Sequence, residues 1–114
     1  MEPRIPRWIG RCCPAVLLIV ALACHPPSAA PVPTFAVVEA ACGQCQFEMP
    51  GSGCDLAVRI DGRTHFVRGS GIDDHGDAHG PHGLCNAVRQ ARVEGHVAGQ
   101  LFVATQFELL PLAD

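Results

Sequence analysis

Apolar and polar residues alternate along much of the second half of the chain, and that two-residue period is the signature of half-buried strands. Cys54 to Asp61 places Leu56, Val58 and Ile60 on one face. Arg92 to Val97 turns Val93 and Val97 inward, which leaves His96 facing out with no special role. Leu101 to Leu110 reads as a last strand with Val103, Thr105, Phe107 and Leu109 on one face. Phe35 to Ala41 is a short, nearly continuous apolar run, as a buried strand shows. Asp61-Gly62 is a hairpin signal, so Arg63 to Arg68 is the return strand. Gly69-Ser70-Gly71 breaks that strand, and Ile72 to Gly80 is a polar loop. Pro81 stands where a first-turn helix proline would, which predicts a short helix over His82 to Gln90. Ala98-Gly99-Gln100 turns the chain between the last two strands.

The predicted order is strand, strand, strand, helix, strand, strand. A mainly β fold follows: a small five-stranded OB-like barrel with one short helix between strands 3 and 4. An open β-sheet or β-sandwich with one helix is the competing arrangement. The folded part runs over 35–110, with 111–114 as a tail. A core of that size is marginal and needs cross-links.

The first 34 residues read differently. Residues 1–23 have the form of an export signal, with Arg4, Arg7 and Arg11 before the uncharged apolar run from Pro14 to Ala23. That run is shorter than the roughly 20 residues a spanning helix needs. Ala21-Leu22-Ala23-Cys24 resembles a bacterial lipobox, in which Cys24 carries the lipid, although Leu22 stands one place later than is usual. Residues 24–34 contain four prolines and form a semi-stiff tether. The expected location is the cell envelope, with the protein anchored to the membrane through an N-terminal lipid. Removing the signal takes three of the eight basic residues and one of the eleven acids, leaving five arginines against ten acids. That balance, with no lysine and no tyrosine, opposes nucleic-acid binding. The length of 114 residues excludes a multidomain enzyme.

Seven cysteines sort by position. Cys12 and Cys13 lie in the signal, and Cys24 is the lipidation site. Cys42, Cys45, Cys54 and Cys85 remain in the domain. For an exported domain the first expectation is a disulfide framework, with three pairings open. The rival is a zinc or copper site, since Cys42-Gly43-Gln44-Cys45 has metal-ligand spacing. Haem attachment fails because Gln46, not His, follows Cys45. Thioredoxin-like chemistry fails for want of a following helix and a βαβ unit. Residues 73–82 add a second cluster of three histidines and three aspartates. There His75, His79 and Asp74 are candidate metal ligands, with Asp73, Asp77 and His82 beside them and His65 reaching in from its strand. The plainer alternative is a solvated loop in which Asp74 or Asp77 makes turn bonds. Met49 is a soft ligand beside Cys45 or an ordinary core residue.

The strings Cys-Gly-Gln-Cys-Gln-Phe (42–47), Gly-Cys-Asp-Leu-Ala-Val (53–58), Ile-Asp-Asp-His-Gly-Asp-Ala-His (72–79) and Leu-Cys-Asn-Ala-Val-Arg (84–89) resemble a family of small exported bacterial proteins of unknown function. The resemblance covers Cys42 to Leu110. It implies that the arrangement of Cys, Asp and His is a family design, and it supplies no catalytic assignment.

Two functional classes follow. One is a lipid-anchored envelope protein that binds zinc or copper through Cys42, Cys45, Cys54 and Cys85 with His75, His79, Asp74 and His65. The other is a disulfide-stapled module that binds an envelope protein or a small ligand and no metal. Nothing marks a nucleophile or a substrate pocket, so the protein is not expected to be an enzyme.

Overall fold

Asp61 and Gly62 take positive φ values of 50° and 78°. A type I′ turn requires positive φ at both central residues. The turn folds β2 (Leu56–Ile60) directly back onto β3 (Arg63–Arg68). These strands belong to a computed structural model in which residues 33–113 are described. The expected export signal, Cys24 and most of the expected tether lie outside those residues.

Three further strands complete the described sheet: β1 (Thr34–Cys42), β4 (Arg89–Ala98) and β5 (Leu101–Leu109). Their order is β1-β2-β3-β5-β4, and β4 pairs with β1 from Thr34↔Gly95 to Ala40↔Arg89 to close the barrel. The β3–β5 pair is parallel and the other four are antiparallel. This is the OB-type arrangement, and closure removes the open-sheet alternative.

The expected face of β5 is correct at only one end. Phe107 and Leu109 pack against the core as expected, but so do Phe102 and Ala104, not Val103 and Thr105. An irregularity at Glu94/Gly95 is the cause: Glu94 pairs with Gln106 and Gly95 with Ala104, so Thr105 is extra. One added residue reverses every side chain beyond it. Thr105 is exposed, and its hydroxyl donates to the Glu94 carbonyl at 3.1 Å. Gly95 is what permits the bulge. A Cβ there would run into the Val103 carbonyl oxygen and lie 2.9 Å from Cζ of Phe102. Phe102 is fully buried and is the largest such side chain in the core.

The expected helix over His82 to Gln90 is absent. Residues 81–86 form turns and β4 begins at Arg89. Helical structure between β3 and β4 is a 3-10 turn at Ile72–His75. Gly83 allows the turns that stand there instead: a Cβ would collide with the Asp77 and Ala78 carbonyl oxygens. The segment doubles back on itself, and Ile72, Ala78, Leu84 and Cys85 enter the barrel core together with Val38, Val58 and Val93. The segment therefore packs as an apolar plug.

One α-helical turn, α1 (Gly43–Gln46), follows β1. The chain after it covers the outer face of the barrel, where Phe47 packs with Ala41, Ala57, Met49 and Phe66. Arg59 lies 4.5 Å above the Phe47 ring and is paired with Glu39 at 2.7 Å. Gly43 allows this close packing, since a Cβ would sit 2.7 Å from Phe66 Cε1 and 2.8 Å from Met49 Sδ. Met49 is thus a packing residue.

The bulge yields a test. Gly95→Ala adds only a methyl, yet it must move the Val103 backbone or Phe102. Such overpacking costs about 1–3 kcal/mol, which lowers the melting temperature of so small a domain by roughly 4–24 °C. Thermal unfolding followed by circular dichroism measures it, and an unchanged midpoint would show that the strands pair without the bulge.

Candidate metal centre

Cys42 ends β1 with its side chain fully buried. Its N–H donates to the Leu84 carbonyl at 2.8 Å, which ties the end of the strand to the plug. Its sulfur caps α1 by accepting the Cys45 N–H at 3.3 Å. Cys45 stands on that turn with its side chain exposed. Cys54 lies just before β2, also exposed, and its Sγ is 3.9 Å from that of Cys45. Cys85 comes from the plug, buried, with its N–H donated to the Ala78 carbonyl at 2.9 Å. All four sulfurs lie within 4.8 Å of one another.

None of the four is bridged in this structure. A disulfide has an S–S length of about 2.05 Å. Tetrahedral zinc with Zn–S bonds of about 2.3 Å instead places its sulfurs about 3.8 Å apart. The Cys45–Cys54 separation is that of a thiol–thiol hydrogen bond and is close to the second geometry.

Residues 36–110 match the family of unknown function DUF6370. The chain belongs to that family. No curated protein and no solved structure matches it. The matched stretch includes all four clustered cysteines and the whole of the histidine-rich loop.

Two glutamines, overlooked in the sequence, hold the cluster together. Gln44 Nε2 donates to the Asp55 carboxylate at 2.7 Å, and Gln44 Oε1 accepts the Asp55 N–H at 3.0 Å. A backbone bond from Gly43 N–H to the Asp55 carbonyl, 2.8 Å, runs beside them. Together these three bonds fix the residue next to Cys54. Gln46 Nε2 donates to the Cys85 carbonyl at 2.9 Å. The polar residues of Cys-Gly-Gln-Cys-Gln thus each brace a different distant cysteine. No spacing rule marks them, because their partners are 11 and 39 residues away.

The sulfurs do not ionise alike. Burial pushes the Cys42 thiol up, but hydrogen bonds from Cys45, Cys54 and Cys85 outweigh it and hold the group below its ordinary value. Cys45, bonded to Cys42 and close to Cys54, is pushed up to about 12. Cys85 is pushed up to about 11, first by burial and then by the same neighbours. A thiolate at Cys42 suppresses ionisation of Cys45 and Cys85, as like charges in one site do. A cation among them would reverse that and ionise all four.

The other expected ligands do not join the sulfur group among the described residues. His75 is half-buried, with Nε2 2.7 Å from Ser70 Oγ and its ring 4.7 Å from that of Phe107. Asp74 accepts the Gly71 N–H at 2.7 Å, and Asp77 accepts the His79 N–H at 3.0 Å. Asn86 donates to the His79 and Gly80 carbonyls, both at 2.9 Å, and fastens the loop. These are turn and packing contacts. His79 and His82 are exposed. His65 lies on β3 opposite Val58, with only 8% of its surface exposed and Nδ1 buried without a partner.

Burial lowers the His75 pKa below 6.5, against a smaller opposing effect of the Asp74 charge. The fold therefore favours the neutral ring. Its contribution to stability is complete above the unfolded value of about 6.5 and is lost as pH falls through the lower folded value. Urea unfolding at pH 7.5 and pH 5.5 should show less stability at the lower pH. His75→Gln should lose less between the two; an equal loss in both proteins would remove His75 from the account.

Proposed function

We propose that the domain binds one zinc ion on the four thiolates of Cys42, Cys45, Cys54 and Cys85, in the cell envelope. The observation that carries this reading is the convergence of four sulfurs from distant parts of the chain within 4.8 Å. A tetrahedral all-sulfur set favours zinc or iron over copper in the choice of metal. The plug and the turn after β1 both end at this cluster, so the ion cross-links a barrel too small to be secure without one. His65, His75, His79 and Asp74 are not ligands in this reading. The role is that of a holder or carrier and involves no catalytic step.

Location belongs to the same proposal. A lipid on Cys24 and the proline-rich tether place the domain at a membrane surface, free to meet other envelope proteins. The excess of acids over arginines keeps it from nucleic acid.

Calorimetric titration of the reduced chain with zinc should give one ion per chain. The signal should weaken with acidification as protons compete for the sulfurs. Gln44→Ala removes the brace on Asp55 and leaves the ligands in place. Loss of an outer bond of this kind typically weakens metal binding about 10–100-fold, with the far-ultraviolet circular dichroism of the barrel unchanged. No binding tighter than micromolar, together with bridged cysteines in peptide maps, would assign the protein to the alternative class, a disulfide-stapled envelope module.

The tether is tested separately. Cys24→Ala should move the protein from the membrane fraction to the soluble envelope fraction. A variant that stays with the membrane would rule out lipidation at this residue.

A further inference from the structure

The four sulfurs divide into two pairs. Cys42 and Cys85 are 0% and 7% exposed and belong to the hydrophobic core. Cys45 and Cys54 are both exposed, and they lie 3.9 Å apart. We propose that Cys45 and Cys54 form a redox-active dithiol whose oxidation to a disulfide opens the metal centre and releases its ion. The proposal rests on the metal-binding reading above and assigns its regulation.

Access decides which sulfurs react. Thiol–disulfide exchange needs a sulfur that an incoming disulfide can approach in line. Only the exposed pair offers that. The oxidant is a small-molecule or protein disulfide, the class that an oxidising envelope supplies. In the first step one exposed sulfur of the metal-loaded cluster, Cys45 or Cys54, ionised by the cation, attacks the incoming disulfide. A mixed disulfide forms, and one thiolate of the oxidant leaves. The other exposed thiolate then attacks the bound sulfur of its neighbour, and the second thiolate leaves. Two electrons have passed from the pair to the oxidant, and two thiolates have been released from it.

Closure of this bond needs a movement of just under 2 Å from the observed separation. The loop between the two sulfurs carries Gly51, at φ 116°, and Gly53, which are conformationally free. Cys42 and Cys85 are held differently. Each has its backbone N–H bonded across the plug, and each packs in the core. Two ligands then remain where four stood. A structural zinc site requires four, so the ion leaves and the buried thiolates take up protons.

The test uses the purified full chain, reduced and loaded with zinc. Failure to load would remove the metal-binding reading itself, before any oxidant is added. Loaded protein is then treated with oxidised glutathione beside a colorimetric zinc chelator, and its disulfides are mapped by peptide mass spectrometry. The expected result is one zinc released for each Cys45–Cys54 disulfide formed, with rebinding after reduction. Retention of zinc while that disulfide forms, or release through a bond to Cys42 or Cys85, would overturn the proposal. Cys54→Ser gives a second check because it removes the resolving sulfur. That variant should accumulate a glutathione adduct at Cys45, and an adduct at Cys42 or Cys85 instead would overturn the division into reactive and buried pairs.

Discussion

Four thiolates cannot share a space 4.8 Å across without a positive charge among them. That electrostatic constraint governs the end of the barrel where β1 finishes. With protons on the sulfurs, the cluster is a set of weak, bulky hydrogen-bonding groups. With a cation, it becomes a joint between the end of β1, the turn that follows, the approach to β2 and the plug. Cys42 is the centre of this joint. Its backbone belongs to the sheet, its sulfur caps α1, its N–H is bonded to the plug, and its side chain lies in the core. The core it belongs to has Phe102 and Leu84 as its largest fully buried members, with Leu56, Ile72 and several valines and alanines around them. A barrel this small gains much from an added cross-link.

The barrel was legible wherever a short-range rule acts. Asp61-Gly62 specifies its turn through the φ values of two residues, and Leu56, Val58 and Ile60 announce an inner face by alternation alone. The failures have a common origin in contacts between distant segments. The β5 phase depends on how Gly95 meets Val103 and Ala104 across the sheet, and nothing within β5 signals that Thr105 is surplus. The helix expected after Pro81 gives way to turns in which Gly83 lies against the carbonyls of Asp77 and Ala78. A proline and a few helix-compatible residues weigh little against that packing.

The same division runs through the site. Cysteines are scarce and chemically committed, so four of them in a small domain were visible at once, and the Cys42–Cys45 spacing suggested a shared ligand. Whether they were bridged was not readable, because bridging depends on sulfur separations that only the folded chain sets. The histidine-rich loop drew notice by its density. His75, Asp74 and Asp77 are the residue types that bind metals, but they are also those that cap turns and satisfy backbone groups. The structure uses Asp74 and Asp77 in the second way, packs His75 against Ser70 and Phe107, and fastens the loop through Asn86. Gln44 and Gln46 show the reverse case: residues with no metal chemistry of their own that decide where Cys54 and Cys85 stand.

The asymmetry of the cluster follows from the way a barrel end is built. A strand that terminates in the core must bury its last side chain, which fixes Cys42 inside. A plug that closes the barrel must turn apolar residues inward, which carries Cys85 in beside Leu84. The other two sulfurs come from the turn after β1 and the approach to β2, on the surface side of the joint. Any ion held there rests on a rigid inner pair and is covered by an outer pair. The inner pair couples the ion to the packing of the whole domain, because moving it disturbs the core. Solvent and other molecules reach the outer pair first. Binding strength is thereby set mainly from inside the fold, and exchange is set from outside it.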